Sequence, residues 1–146
     1  MTIYAEDVNY LNTGKSNPDV WIERAKKEIR NISGKILQSG YAEQNGQAAF
    51  LLKFQIGDDT FDIKWQTLPG HYARTTELMR KRQAATLLFH DVKHRCVMAK
   101  IRGIRSTFLE YLTLPNGQTM GETVANVDQF KAILQNTPIL LGTGEL

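Results

Sequence analysis

The chain has 146 residues, 42% of them hydrophobic and 23% charged, and a net charge of +3, a composition expected of one soluble domain, 1–146, that buries a core unaided. The longest apolar runs, such as Ala48 to Leu52, are too short for a membrane span, and Met1 to Asn12 lacks the basic and apolar segments of a secretory leader. A lone cysteine, Cys96, excludes an internal disulfide and suits a reducing cytoplasm.

Residues 1–15 are polar and aperiodic, with a short strand expected at Ile3 to Ala5. Ser16-Asn17-Pro18 then reads as a helix start, a capping side chain followed by proline near the first helical position. Ile22, Ala25, Ile29, Ile32 and Ile36 recur at three- and four-residue steps. They predict an amphipathic helix of about six turns, with Gly40 as its stop and Gly34 a weakness in its last turns. After a polar turn at 41–47 the period changes to two. Phe50, Leu52, Phe54 and Ile56, then Phe61, Ile63 and Trp65, flank Gly57-Asp58-Asp59 and predict a β-hairpin with one buried face. Leu68-Pro69-Gly70 closes the sheet and a long helix follows from about Thr75. Gly103 breaks or kinks it, and Ile104, Phe108, Leu109 and Leu112 carry a helical apolar face onward. Leu114-Pro115-Asn116-Gly117 is a turn by composition. A last helix is expected to turn Val124, Val127, Phe130 and Leu134 inward, and 136–146, with Pro138 and two glycines, to form a surface tail.

The long helix carries most of the chain's positive charge. Arg74 to Arg105 holds nine Lys or Arg against Glu77 and Asp91, a net +7, so the other 114 residues sum to −4. At about 100° per residue, Ala85, Leu88, Phe89, Val92, Cys96 and Ala99 form the core stripe. Arg82, Lys93 and Lys100 share one flank of that stripe, with Thr86, His90, Gln83 and His94 continuing round. Asp91 and Arg95, four apart on the other flank, can pair. Such a row is either a solvated face or a binding surface for an anionic partner, and the scarcity of acids favours the second more than in an ordinary surface helix.

The chemical motifs are weak. His90 and His94, four apart on a helix, can share a metal ion, but the neighbour is Asp91 where a metalloprotease needs glutamate, and His71 sits on a preceding loop. They read more simply as surface or polar-network histidines. Cys96 and His94 are two apart and point to different sides, so the thiol reads as a small buried group. No serine elbow, phosphate loop or dinucleotide fingerprint is present, and Asp58, Asp59 and Asp62 are explained by the hairpin. For a nucleic acid the required parts are cations and exposed aromatic faces. Trp65 fits either the core or a stacking platform. Tyr72 and Arg74, in the loop entering the basic helix, are better placed, and Lys53 and Lys64 lie on the outer face of the hairpin.

Three segments together, Ile63-Lys64-Trp65-Gln66-Thr67-Leu68-Pro69, Arg82 to Lys93 and Leu114 to Thr119, resemble small uncharacterised proteins of bacteriophages, prophages and other mobile elements. The opening Tyr4-Ala5-Glu6-Asp7 is similar to relatives of that group. The resemblance runs through most of the chain and carries over no catalytic residue. It implies a small protein acting in the host cytoplasm, where handling the element's nucleic acid and disabling a host defence are the common tasks.

The expectation is therefore an α+β fold in which an N-terminal helix and the long basic helix cover one face of a small antiparallel sheet, with a helical C-terminal segment. The expected function is non-enzymatic, without cofactor or metal. The leading partner is nucleic acid, met by Lys64, Tyr72, Arg74, Arg82, His90, Lys93, His94 and Lys100. The alternative is an anti-defence protein that inhibits a host immune effector or sequesters its nucleotide signal. Exposed sheet edges favour a homo-oligomer.

Overall fold

The computed structural model describes residues 1–12, 15–44 and 47–125. Val127, Phe130, Leu134 and the expected tail 136–146 lie outside them. Helix α1 spans Pro18–Asn31 and begins as its sequence requires. Pro18 occupies the first helical position, and the Asn17 side chain accepts the Asp19 N–H at 3.0 Å. Ile22, Ala25 and Ile29 form its buried face.

The helix stops well before Gly40. Ser33 turns into the left-handed region at φ 71°, and the Gly34 N–H donates to the Ile29 carbonyl at 2.9 Å. A Cβ on Gly34 would come within 2.8 Å of that carbonyl oxygen, so the close return of the chain demands glycine. Ile36, expected on the helix, therefore lies in strand β1, Lys35–Gln44, and the polar turn expected at 41–47 is mostly strand. The helical step from Ile32 to Ile36 continues by coincidence across the break. β1 also pairs irregularly, with a register shift between Ile36 and Gln38, which hides its alternation.

Strands β2, Gln47–Ile56, and β3, Asp59–Gln66, form the expected hairpin, so the sheet is three antiparallel strands in the order β1-β2-β3. Gly57, at φ 61°, opens the two-residue turn between Ile56 and Asp59. Leu52 faces Ile63 across the ladder and Phe54 faces Phe61, and all four are buried on one face. Trp65 packs against this core while half-buried. No strand forms at Ile3 to Ala5. Ala5–Asp7 is instead a single 3-10 turn.

Helix α2, Glu77–Arg102, is capped by the Thr76 hydroxyl, which accepts the Met79 N–H, and ends where Gly103 adopts φ 90°. It lies beside α1 in the same direction, Trp21 meeting Phe89 and Glu28 acting on Cys96 a few turns on. Together the two helices cover the Phe50, Leu52, Phe54, Phe61 and Ile63 face. The architecture is α+β, with two helices on one face of an antiparallel sheet.

After Gly103 the chain folds back through α3, Ile104–Thr107, and a 3-10 turn at Leu109–Tyr111. Phe108 is fully buried against Phe54 and Phe61, with ring centroids 5.6 and 5.8 Å away. The Thr113 N–H donates to Thr60 at 2.8 Å, so this segment caps part of the β3 edge. Leu114 and Gly117 close the expected turn with a 2.9 Å bond. In α4, Met120–Ala125, Thr123 is buried and Val124 is exposed, the reverse of the expected orientation. The Met120 N–H donates to the Leu112 carbonyl at 2.8 Å, which ties the start of α4 to the preceding segment.

Arg95 holds the fold-back. Its Nε donates to Asp91 at 3.0 Å, a terminal nitrogen donates to the Thr107 carbonyl at 2.8 Å, and Glu110 takes the other. Tyr111 stacks on the guanidinium and donates its hydroxyl to Asp91 at 2.8 Å. Burial, with the Asp91 charge beside it, pushes the Tyr111 phenol well above its usual range, so it remains a donor. Replacing Arg95 with Met is expected to cost about 2 to 3 kcal/mol in urea unfolding, because Asp91 and the Thr107 carbonyl lose their donors. A loss below about 0.5 kcal/mol would instead describe an exposed ion pair.

Candidate functional site

The nine cations of 74–105 divide by what surrounds them. Arg95 belongs to the fold-back hub, and Arg105 forms a bidentate pair with Asp59 at 2.8 and 3.0 Å. The Lys81 ammonium sits 4.1 Å above the Tyr41 ring. Arg80 and Arg82 are half-buried, each with an enclosed Nε that meets no acceptor among the described residues. Arg74, Lys93, Lys100 and Arg102 are exposed and make no ion pair among the described residues.

Of the expected site residues, Lys93, His94 and Lys100 share the outer side of α2, where Lys93 lies 5.8 Å over the Phe89 ring. Lys64 stands apart, on the sheet face opposite α2, and is 3.5 Å from Glu122. Thr86 and Gln83, placed by the helical wheel outside the core stripe, are buried. The correction comes from the N-terminal strap, residues 1–12, which covers that part of the helix. The Gln83 amide nitrogen lies 2.8, 3.0 and 3.1 Å from the carbonyl oxygens of Ala5, Val8 and Asn9, two N–H groups serving three acceptors. Thr86 turns its hydroxyl back to the Arg82 carbonyl at 2.7 Å.

The strap brings an aromatic residue that the sequence pattern did not reveal. Tyr10 stacks on His90 with centroids 4.9 Å apart, and Trp21 lies 6.1 Å from the same imidazole with Arg24 over its indole. Tyr10 adopts φ 75°, a left-handed backbone unusual for a bulky residue and costing on the order of 1 kcal/mol or more. Its neighbours impose this. The carbonyls of Val8 and Asn9 are held by Gln83, and Leu11 is buried.

A second clamp fixes the 70–76 loop. The Glu6 carboxylate accepts the Thr75 hydroxyl and the backbone N–H groups of His71 and Tyr72. The Thr75 bond foremost, then the His71 N–H, holds the Glu6 carboxyl down to about 2, so its charge is committed to the loop. Tyr72 is exposed beyond the clamp, with Arg74 4.7 Å over its ring and His71 edge-on at 4.6 Å. His71 also meets Tyr4 at 4.7 Å, so it is tied to the strap. Among the described residues no three metal-ligating side chains converge. Cys96 is buried, and burial pushes its thiol up to about 12, the opposite of an activated nucleophile.

Between strap and loop lies a cleft of about 430 Å³, lined by Glu6, Tyr10, Asn12, Tyr72, Arg74 and Met79 among others. The site is thus an open cationic side of α2 that leads, by way of the Tyr10–His90 stack, to a polar cleft between two clamped segments. The fold that carries this surface is α+β. No protein-family model, curated protein or solved structure matches the chain.

The Glu6 clamp has a pH signature. The carboxyl is lowered on folding from 4.5 to about 2, so its stabilisation is complete above pH 4.5 and lost as the pH falls through 2. Glu6→Gln is therefore expected to flatten the acid limb of the stability profile between those values. An unchanged acid limb in urea titrations would mean that the carboxylate does not hold the loop.

Proposed function

We propose that this chain is a non-enzymatic nucleic-acid-binding protein of a bacteriophage or mobile element, acting in the host cytoplasm. The observation that carries the reading is the set of four exposed cations, Arg74, Lys93, Lys100 and Arg102, without ion-pair partners among the described residues. Three nearby acids are spent elsewhere, Asp91 on Arg95 and Tyr111, Asp59 on Arg105, and Glu6 on the loop, while Glu77 is exposed near Arg74. A surface whose cations lack internal counter-charges gains most from phosphate and the counterions it releases. Aromatic groups stand beside these cations, Tyr72 beneath Arg74 and the Tyr10–His90 pair one turn from Lys93. This mixture suits single strands, whose bases are free to stack. The resemblance to mobile-element proteins supplies the setting.

A second reading rests on a different feature. On the outward side of α2, Val97 is 50% exposed and Ile101 76%, and they continue the His90 and His94 line at helical spacing. Exposed aliphatic groups contribute nothing to phosphate binding. They favour docking of a protein, as an anti-defence role against a host effector requires.

The two readings separate on salt dependence. Under the nucleic-acid reading, affinity for a labelled single strand falls log-linearly with salt, and Lys93→Glu with Lys100→Glu lowers the slope by about 1.4. The same pair of changes lowers affinity at low salt by about tenfold or more. Unchanged binding in the double variant, or none by the native chain at low salt, would reject this surface. Val97→Ser with Ile101→Ser, which adds no charge, is expected to leave strand binding intact.

A further inference from the structure

We infer that the cleft between the N-terminal strap and the 70–76 loop binds one nucleoside 5′-phosphate unit, the base between Tyr10 and Tyr72 and the phosphate on Arg74. The inference deepens the nucleic-acid reading and rests on it for the choice of nucleotide over other aromatic anions.

The size and chemistry of the cleft agree. About 430 Å³ is within the range of small-molecule sites and holds a single nucleotide. Two phenol rings line it from opposite segments, Tyr10 from the strap and Tyr72 from the loop. Among the described residues the guanidinium of Arg74 is the only cationic group in the lining, and its planar fork matches a phosphate better than a point charge would. Asn12 adds a side-chain amide that can meet the edge of a base. Glu6 is the one carboxylate there, and its oxygens are already occupied by Thr75, His71 and Tyr72. It therefore confines the phosphate to the Arg74 end of the cleft.

The walls are also held before any ligand arrives. Gln83 and the buried Leu11 fix the strained backbone of Tyr10, and His90 supports one face of its ring. The Glu6 clamp fixes the loop that carries Tyr72 and Arg74. Rings ordered in advance lose little freedom on stacking.

The phosphorylated nucleoside can be a unit of a strand or a free nucleotide. The test titrates the full chain at low salt with AMP, adenosine and inorganic phosphate, followed by calorimetry, with a short single strand as competitor. AMP is expected to bind more tightly than adenosine or phosphate. Arg74→Ala should weaken AMP by about tenfold or more while leaving adenosine unchanged. Tyr72→Ala, a change at an exposed ring, should weaken both by about fivefold or more. Displacement of AMP by the strand identifies a strand unit as the natural occupant, and AMP binding without displacement identifies a free nucleotide. AMP binding no tighter than inorganic phosphate, or indifferent to both variants, overturns the inference. The parent reading fails separately. Lys93→Glu with Lys100→Glu should reduce strand binding and leave AMP binding intact, whereas salt-dependent strand binding without AMP binding would discard the cleft and keep the helix surface.

Discussion

The carboxamide of Gln83 organises the side of the protein that carries the candidate site. It is buried in the middle of a helix whose neighbouring turns are strongly basic, and it answers the carbonyls of Ala5, Val8 and Asn9. The Ala5 carbonyl also accepts the Val8 N–H at 3.2 Å, whereas leaving the Val8 and Asn9 carbonyls unpaired under the strap would cost about 1 to 3 kcal/mol each. The bonds decide where residues 5–11 lie. They set Tyr10 against His90, bring Glu6 to the 70–76 loop, and so create the cleft that ends in Arg74. A polar side chain usually faces water on such a helix. Here it substitutes for backbone pairing and converts an irregular N-terminus into a fixed wall.

The basic helix does two kinds of electrostatic work. Arg95 on the helix and Arg105 in α3 just beyond it are structural, binding Asp91, Glu110 and Asp59 and tying the returning segment to α2 and the hairpin. Those pairs add to the burial of Phe108 and Leu112 and the short pairing to β3 in holding residues 104–113. Arg74, Lys93, Lys100 and Arg102 have no such duty. The separation matters for function, because cations engaged inside the fold are poor phosphate ligands, whereas free ones gain from counterion release. Net charge alone overstates the available surface, and the pairing pattern gives the better measure.

Local signals in the sequence were enough for much of the fold. Asn17-Pro18, the alternating Phe50 to Trp65 hairpin around Gly57, the Ala85 to Ala99 stripe and the break at Gly103 each rest on neighbours within a few residues, and each is present. The failures have nonlocal causes. Ile36 kept the helical step of Ile32 although Gly34 had already turned the chain against Ile29. Gln83 and Thr86 fell outside the core stripe, beyond the basic flank, because the helix wheel cannot know that an aperiodic strap 75 residues earlier lies over them. Tyr10 is invisible for the same reason. Its role comes from a left-handed backbone and two distant contacts, none of which leaves a periodic trace. Tyr72, Arg74, Lys93 and Lys100 could be found because exposed cations and a loop aromatic are marked by composition, while Lys64 shared the charge but lies on the opposite face of the sheet.

Photo-cross-linking of a single strand carrying 5-iodouracil, with the joined peptides mapped, examines the central claim directly. If the clamped strap, the 70–76 loop and the open side of α2 form one binding surface, cross-links should concentrate at Tyr10, Tyr72 and His90 and disappear with rising salt. Cross-links confined to the outer sheet face around Lys53 and Lys64, or none above those of an unrelated protein of equal charge, would contradict it.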